Sequence, residues 1–379
     1  RRYNQRATMT DPTTAPGQIP NALFRGLGAP PSPPAAPATP PRHRMHLNES
    51  PYPPAPGVIA AMRAACAHVN TYPDPNWRDL TNAIAAQTGV DAGRIVFGNG
   101  SDELIVSAGK LALDPEAEMV VPVPSFPGYA RSAALAGARV VGVPVRADGA
   151  ADVAAMAAAI TPRTRLVYCA TPNNPTGGLS SADDLALLSA AVPEGALFIV
   201  DEAYYEFARH AGGVNHLPSL RARRGPWVSL RTFSKAFGLA GIRVGYALCG
   251  SDALADAFQN ARSVFNVNAV AQAGARAALD DLDHMRWILD QTARERDRLH
   301  DGLIALGARP FPSVANFVTA AIDRPAAEVV AALAARGILI SRLMQPGYEN
   351  YLRITVGTAD DTDAFLAALT EILAPPAAS

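Results

Sequence analysis

The chain is poor in cysteine, has no long apolar run and carries no block of one charge sign. Its three cysteines, Cys66, Cys169 and Cys249, are scattered. They lack metal-ligand spacing, so no metal is expected, and they read as buried thiols of a reducing, cytoplasmic compartment. No apolar stretch reaches the roughly 20 residues that a membrane helix needs. Arg1, Arg2 and Arg6 open the chain, but no apolar export-signal core follows, and Met9 is a candidate start. The formal net charge is −1 over 379 residues. That balance argues against nucleic acid or an anionic membrane as the main partner and leaves a small molecule.

What is present is a large apolar fraction, 49% of residues, enough for a sizeable core. The length suggests two lobes. Residues 1–42 form a separate regime, with a proline-rich, low-complexity stretch from Ala29 to Pro41. Such a segment cannot bury enough apolar surface to offset its ordering entropy, so a disordered arm is expected. Beyond it, strand-like and helix-like segments alternate. Candidate strands are Arg94–Gly98, Met119–Pro122, Arg139–Val145, Leu166–Ala170, Ala196–Asp201, Trp227–Arg231 and Val244–Leu248. Several are near-continuous apolar runs, as in a parallel sheet covered on both faces. The pattern predicts an α/β fold with a large doubly wound, mostly parallel sheet domain over 73–265. Residues 43–72 and 266–379, with candidate strands Asn316–Ala321, Gly337–Ser341 and Tyr351–Gly357, read as a smaller α+β domain.

The residues suited to chemistry fall at predicted strand ends, where ligands bind in such sheets. Lys235 follows Thr232 and Ser234 and precedes the glycine-punctuated Arg243. Its amine can form a Schiff base, and the hydroxyls and guanidinium suit a phosphate. Gly98-Asn99-Gly100-Ser101-Asp102-Glu103 leaves a strand and opens a helix, whose free N–H groups attract anions. Read alone, it is more often an ordinary turn capped by Ser101. Phe126, in Ser125-Phe126-Pro127-Gly128-Tyr129, can stack on a flat ring or simply pack on the core. Asn174 precedes Pro175 and is held extended; its amide can donate to a phenolate oxygen, or it can serve a plain turn. Asp201 ends an apolar strand, where a carboxylate needs a partner such as a protonated pyridine nitrogen; the other reading is a helix-capping aspartate. Tyr204, three residues on, can reach the ring oxygen. Arg353 lies inside the short apolar strand Leu352-Arg353-Ile354, and a bidentate carboxylate matches such a guanidinium. Arg342 is a second cation near in sequence, with a structural ion pair as the other reading.

Together these segments, with Leu47-Asn48-Glu49-Ser50-Pro51-Tyr52 and Thr71-Tyr72-Pro73-Asp74, resemble the class I/II aminotransferases of fold type I, which use pyridoxal 5′-phosphate. The resemblance is greatest to the histidinol-phosphate aminotransferase branch, and it runs from about His46 onward. It implies that Lys235 holds the cofactor covalently and that Asp201 pairs with the ring nitrogen. It implies that Asn174 and Tyr204 contact the ring oxygen and that Phe126, where the family usually has tyrosine, stacks on the ring. The phosphate would rest on Ser101, Asp102, Thr232, Ser234 and Arg243. Tyr72 would reach the cofactor of the neighbouring subunit, so a homodimer is implied. Arg353 would clamp the substrate's anionic end, with Tyr52 and Arg342 lining the pocket. The expected reaction is transamination of histidinol phosphate with 2-oxoglutarate/glutamate. Met344 and Tyr348 could border a pocket for an aromatic ring, so an aromatic amino acid donor is the alternative. A lyase or decarboxylase on the same scaffold is another. A ligand-sensing regulator would need a DNA-binding module, and the proline-rich arm has no such pattern.

Overall fold

The computed structural model describes residues 22–27 and 40–374. Most of the proline-rich arm therefore lies outside the described residues; within it, Ala22–Gly26 forms a short helix. The described residues hold twelve strands: β1 (His43–Met45), β2 (Ile95–Asn99), β3 (Glu118–Val123), β4 (Arg139–Pro144), β5 (Thr164–Ala170), β6 (Leu197–Asp201), β7 (Trp227–Thr232), β8 (Val244–Cys249), β9 (Arg309–Pro310), β10 (Phe317–Ala321), β11 (Ile338–Arg342) and β12 (Tyr351–Thr355).

Seven of them form one sheet in the order β2-β8-β7-β6-β5-β3-β4. The run from β7 through β4 is parallel, whereas β8 is antiparallel to both β7 and β2. The central strands β6, β7 and β8 are buried along their whole length, while the edge strand β4 is largely open. That is why the central strands are unbroken apolar runs: both of their faces are covered. Because β8 runs against its neighbours, its first residue sits at the same sheet edge as the last residues of β2, β5, β6 and β7. The last residues of β3 lie there too, since β3 is parallel to β5, so loops at one edge carry residues from six strands.

The other five strands form a sheet ordered β1-β11-β12-β10-β9, in which β1 and β11 are parallel and the remaining pairs antiparallel. Its apolar cluster, with Met45, Val318, Ile354 and Phe365, includes Leu299 and Leu303 of the helix Leu282–Ala305. Helices Pro56–Cys66 and Ala269–Asp280 pack on each other, and their Val58, Ala271 and Ala275 belong to the larger apolar cluster around the seven-stranded sheet. A third cluster, Tyr204, Phe207, Ala236, Leu289, Ala315 and Phe317, joins residues that follow β6 and β7 to β10 and the helix Leu282–Ala305.

Local signals in the sequence explain several boundaries. Ser181 caps the helix Ala182–Ala191 in a reciprocal capping box with Asp184, and Thr358 with Asp361 does the same for Ala359–Leu373. The helix Ser101–Ala112 differs from expectation: Gly100, not Ser101, occupies the cap, with φ of 73° and no side-chain bond. Cys169 and Cys249 are buried as expected, but Cys66 is exposed, because it ends a helix whose last turn faces solvent.

Candidate active site

A cavity of about 340 Å³ opens at the edge of the large sheet. Ser101, Asp102, Phe126, Asn174, Asp201, Tyr204, Thr232, Ser234, Lys235 and Arg243 all line it. They come from the ends of β2, β3, β5, β6 and β7 and from the start of β8, so the strand order itself assembles them.

The Lys235 amine donates to the carbonyl of Asn48 at 3.0 Å and to that of Leu47 at 3.4 Å. Burial, with the Arg353 and Arg243 charges behind it, brings its pKa down to about 8. Such an amine keeps a sizeable neutral, nucleophilic fraction near neutral pH. Asp201 is 5% exposed. Burial pushes its carboxyl upward, and hydrogen bonds pull the other way. Those bonds come from the Tyr129 hydroxyl at 2.6 Å and the Ala203 N–H at 3.0 Å. A buried carboxylate lining a cavity, held by donors but by no cation, is complementary to a protonated ring nitrogen.

Hydroxyls and a guanidinium gather in the same wall. Thr232 Oγ1 lies 3.0 Å from Ser234 Oγ, and Arg243 Nη1 lies 3.5 Å from Ser234 Oγ and 3.0 Å from the Ala240 carbonyl. Arg243 has a left-handed backbone, φ 61°. A Cβ at Gly100 would stand 3.0 Å from Arg243 Cζ, so this approach requires glycine. Glu103 fixes the same turn by accepting from the Asn99 N–H at 2.6 Å and from Asn266 Nδ2 at 2.7 Å. The free N–H groups of the helix start, two hydroxyls and a guanidinium form a cradle suited to a phosphate.

Other expected residues sit further out. Arg353 does not line the cavity but donates to Asn174 Oδ1 at 2.9 Å and to the His46 carbonyl at 2.9 Å. Its Nε is buried without a partner, a spare donor for an anion. Tyr52 and Arg342 also lie outside the lining; Tyr52 packs edge-on against Trp287 at 4.8 Å. Tyr72 is 81% exposed and stacks on Phe265. Met344 is 71% exposed and Tyr348 packs on Tyr351, and neither borders this cavity.

Two residues here carry no role in the sequence reading. Tyr129, which holds Asp201, lies one helical turn beyond Phe126, and its phenol needed the fold to find its partner. Asn48 sits in a segment read only as a mark of the family resemblance, yet it touches Tyr204, Lys235 and Thr355. No group of metal-ligating side chains occurs among the described residues.

Fold and site define a pyridoxal phosphate-type transferase, and residues 44–369 match the family described as aminotransferase class I and II. The chain belongs to that family, whose members work with pyridoxal 5′-phosphate. It is similar to the histidinol-phosphate aminotransferase of Moorella thermoacetica, 38% identical over 87% of this chain and 85% of that one. It is also similar to histidinol-phosphate aminotransferase 2 of Pseudomonas aeruginosa, 37% identical over 95% and 94% of the two chains. Among solved structures, histidinol-phosphate aminotransferase from Sinorhizobium meliloti, in complex with pyridoxal 5′-phosphate, superposes with a TM-score of 0.87. The pair are 30% identical, and the match covers 95% of this chain and 98% of that one.

Proposed function

We propose that this chain transfers the amino group of histidinol phosphate to 2-oxoglutarate, with pyridoxal 5′-phosphate held at the edge of the seven-stranded sheet. The carrying observation is the cavity in which a neutralisable amine, Lys235, and a buried carboxylate, Asp201, share one wall with a phosphate cradle. When bound, pyridoxal phosphate supplies an electron sink that acidifies the substrate's α-C–H bond.

The chain's own residues do the rest. Asp201 holds a proton on the ring nitrogen, and Tyr129 keeps Asp201 in place for that task. Phe126 offers a ring face, and Asn174 and Tyr204 offer polar groups to the ring oxygen. Ser101, Asp102, Thr232, Ser234 and Arg243 hold the phosphate. Lys235 attaches the cofactor aldehyde and, once released, carries a proton to and from the α-carbon. Arg353, with its free Nε, takes the substrate's anionic end, and Tyr52 and Arg342 border that side. The named relatives support histidinol phosphate as donor. We read the enzyme as a cytoplasmic homodimer in which Tyr72 serves the partner's cofactor. Its exposure supports this reading, and no described helix is long and apolar enough to cross a membrane.

Lys110 and Lys235 are the only lysines in the sequence, which makes the test clean. Borohydride reduction after loading with pyridoxal phosphate should mark position 235, and Lys235→Ala should lose both mark and turnover. A single half-reaction with histidinol phosphate, phenylalanine, tyrosine or glutamate then ranks donors. Wild-type turnover in Lys235→Ala would overturn the cofactor assignment, and a faster half-reaction with phenylalanine or tyrosine would overturn the substrate.

A further inference from the structure

Asn48 is 2% exposed and adopts φ of 54°, a left-handed conformation that asparagine tolerates better than most residues. Its bonds leave little freedom. The backbone N–H donates to Thr355 Oγ1 at 2.9 Å, and the Thr355 hydroxyl donates back to Asn48 Oδ1 at 3.0 Å. The side-chain Nδ2 then donates to the Tyr204 hydroxyl oxygen at 2.9 Å. Exchanging the amide's O and N would leave the buried Thr355 proton without this acceptor, which is costly. The direction of each bond is therefore set. Tyr204 accepts a hydrogen bond from Asn48 and cannot donate its own there. Tyr204 lines the cavity, so its phenolic proton is left to point into it.

We infer that Asn48, oriented by Thr355, is a positioning residue that makes Tyr204 a hydrogen-bond donor toward the cofactor's ring oxygen. This rests on the cofactor reading above. Asn48 also accepts from Lys235 Nζ and, at 3.0 Å, from Asn316 Nδ2 through its carbonyl. It thus ties Thr355 of β12 to the residues beyond β6 and β7.

The test uses the full chain loaded with pyridoxal phosphate. It reads the pH at which the visible absorption of the lysine-bound cofactor changes as the linking nitrogen loses its proton. A donor on the ring oxygen weakens that oxygen's hold on the shared proton, so losing the donor raises the midpoint. Asn48→Asp keeps the shape but can only accept from Tyr204, and it should raise the midpoint by roughly one pH unit, the scale of one charge-assisted hydrogen bond. In a Tyr204→Phe background the same change should add clearly less, since only the new carboxylate's charge then acts. Thr355→Val, outside the cavity lining, should move the midpoint in the same direction by less, and it decides the matter if Asn48→Asp does not fold. An unmoved midpoint, or a shift as large with Tyr204→Phe as without it, overturns the inference. Absence of a reduced adduct at Lys235 in the unsubstituted protein would instead defeat the cofactor reading.

Discussion

Lys235 is depressed in pKa for a reason visible at one side chain: burial first, then two guanidinium charges. The sign follows directly. Between pH about 8 and the ordinary lysine value of about 10.4, the folded apo-protein binds fewer protons here than the unfolded chain. Stability therefore rises with pH across that window, and Lys235→Met should flatten the rise in urea titrations. Adduct formation should quicken roughly tenfold per pH unit below about 8 and level off above it. Stopped-flow absorbance after mixing with pyridoxal phosphate checks this; acceleration continuing to pH 10 would mean an unperturbed amine. That Lys235, Thr232, Ser234 and Arg243 share one cavity was legible from their closeness in sequence, since hydroxyls and a glycine-flanked arginine beside a lysine form a local pattern. Tyr129 and Asn48 were not, because their partners lie 72 and 156 positions away. A single tyrosine or asparagine gives no sign of such a partner.

At the level of elements, the turn between β2 and the helix Ser101–Ala112 is the most constrained piece of the site. Gly100 has a positive φ, and the Arg243 guanidinium occupies the space where a side chain would begin. Gly100→Ala should push Arg243 out of the cradle and weaken retention of pyridoxal phosphate at least tenfold, while leaving the sheet folded. Equilibrium dialysis measures the first effect and far-ultraviolet circular dichroism the second; unchanged affinity would remove Arg243 from the phosphate role. The strands of the large sheet were readable because burial on both faces produces unbroken apolar runs, and each observed strand lies within one or two residues of its expected limits. The reversed direction of β8 was not readable. Strand sense depends on the long-range pairings with β7 and β2, and Val244–Cys249 is as buried as β6 and β7. Short β1 and β9 escaped too, since two or three residues carry no period.

For the molecule as a whole, Tyr72 stacks on the half-buried Phe265, with centroids 4.4 Å apart, and is itself exposed on a single chain. The dimer reading gives it a partner. Sedimentation at micromolar concentration should show twice the 39.6 kDa chain mass. Tyr72→Ala should loosen the cofactor without lowering the melting temperature of the apo-protein, because the side chain contributes little to its own core. A monomeric holoenzyme with intact turnover would sink that assignment.

On the proposed assignment the two sheets also divide the labour of recognition. The residues proposed to grip the cofactor hang from the rim of one, whereas Arg353 and its neighbour Ser341 belong to the other. That assignment makes selectivity modular. Transplanting β10 to β12 from a relative with different tastes should retune which amines are accepted, while the yellow colour of the loaded protein survives.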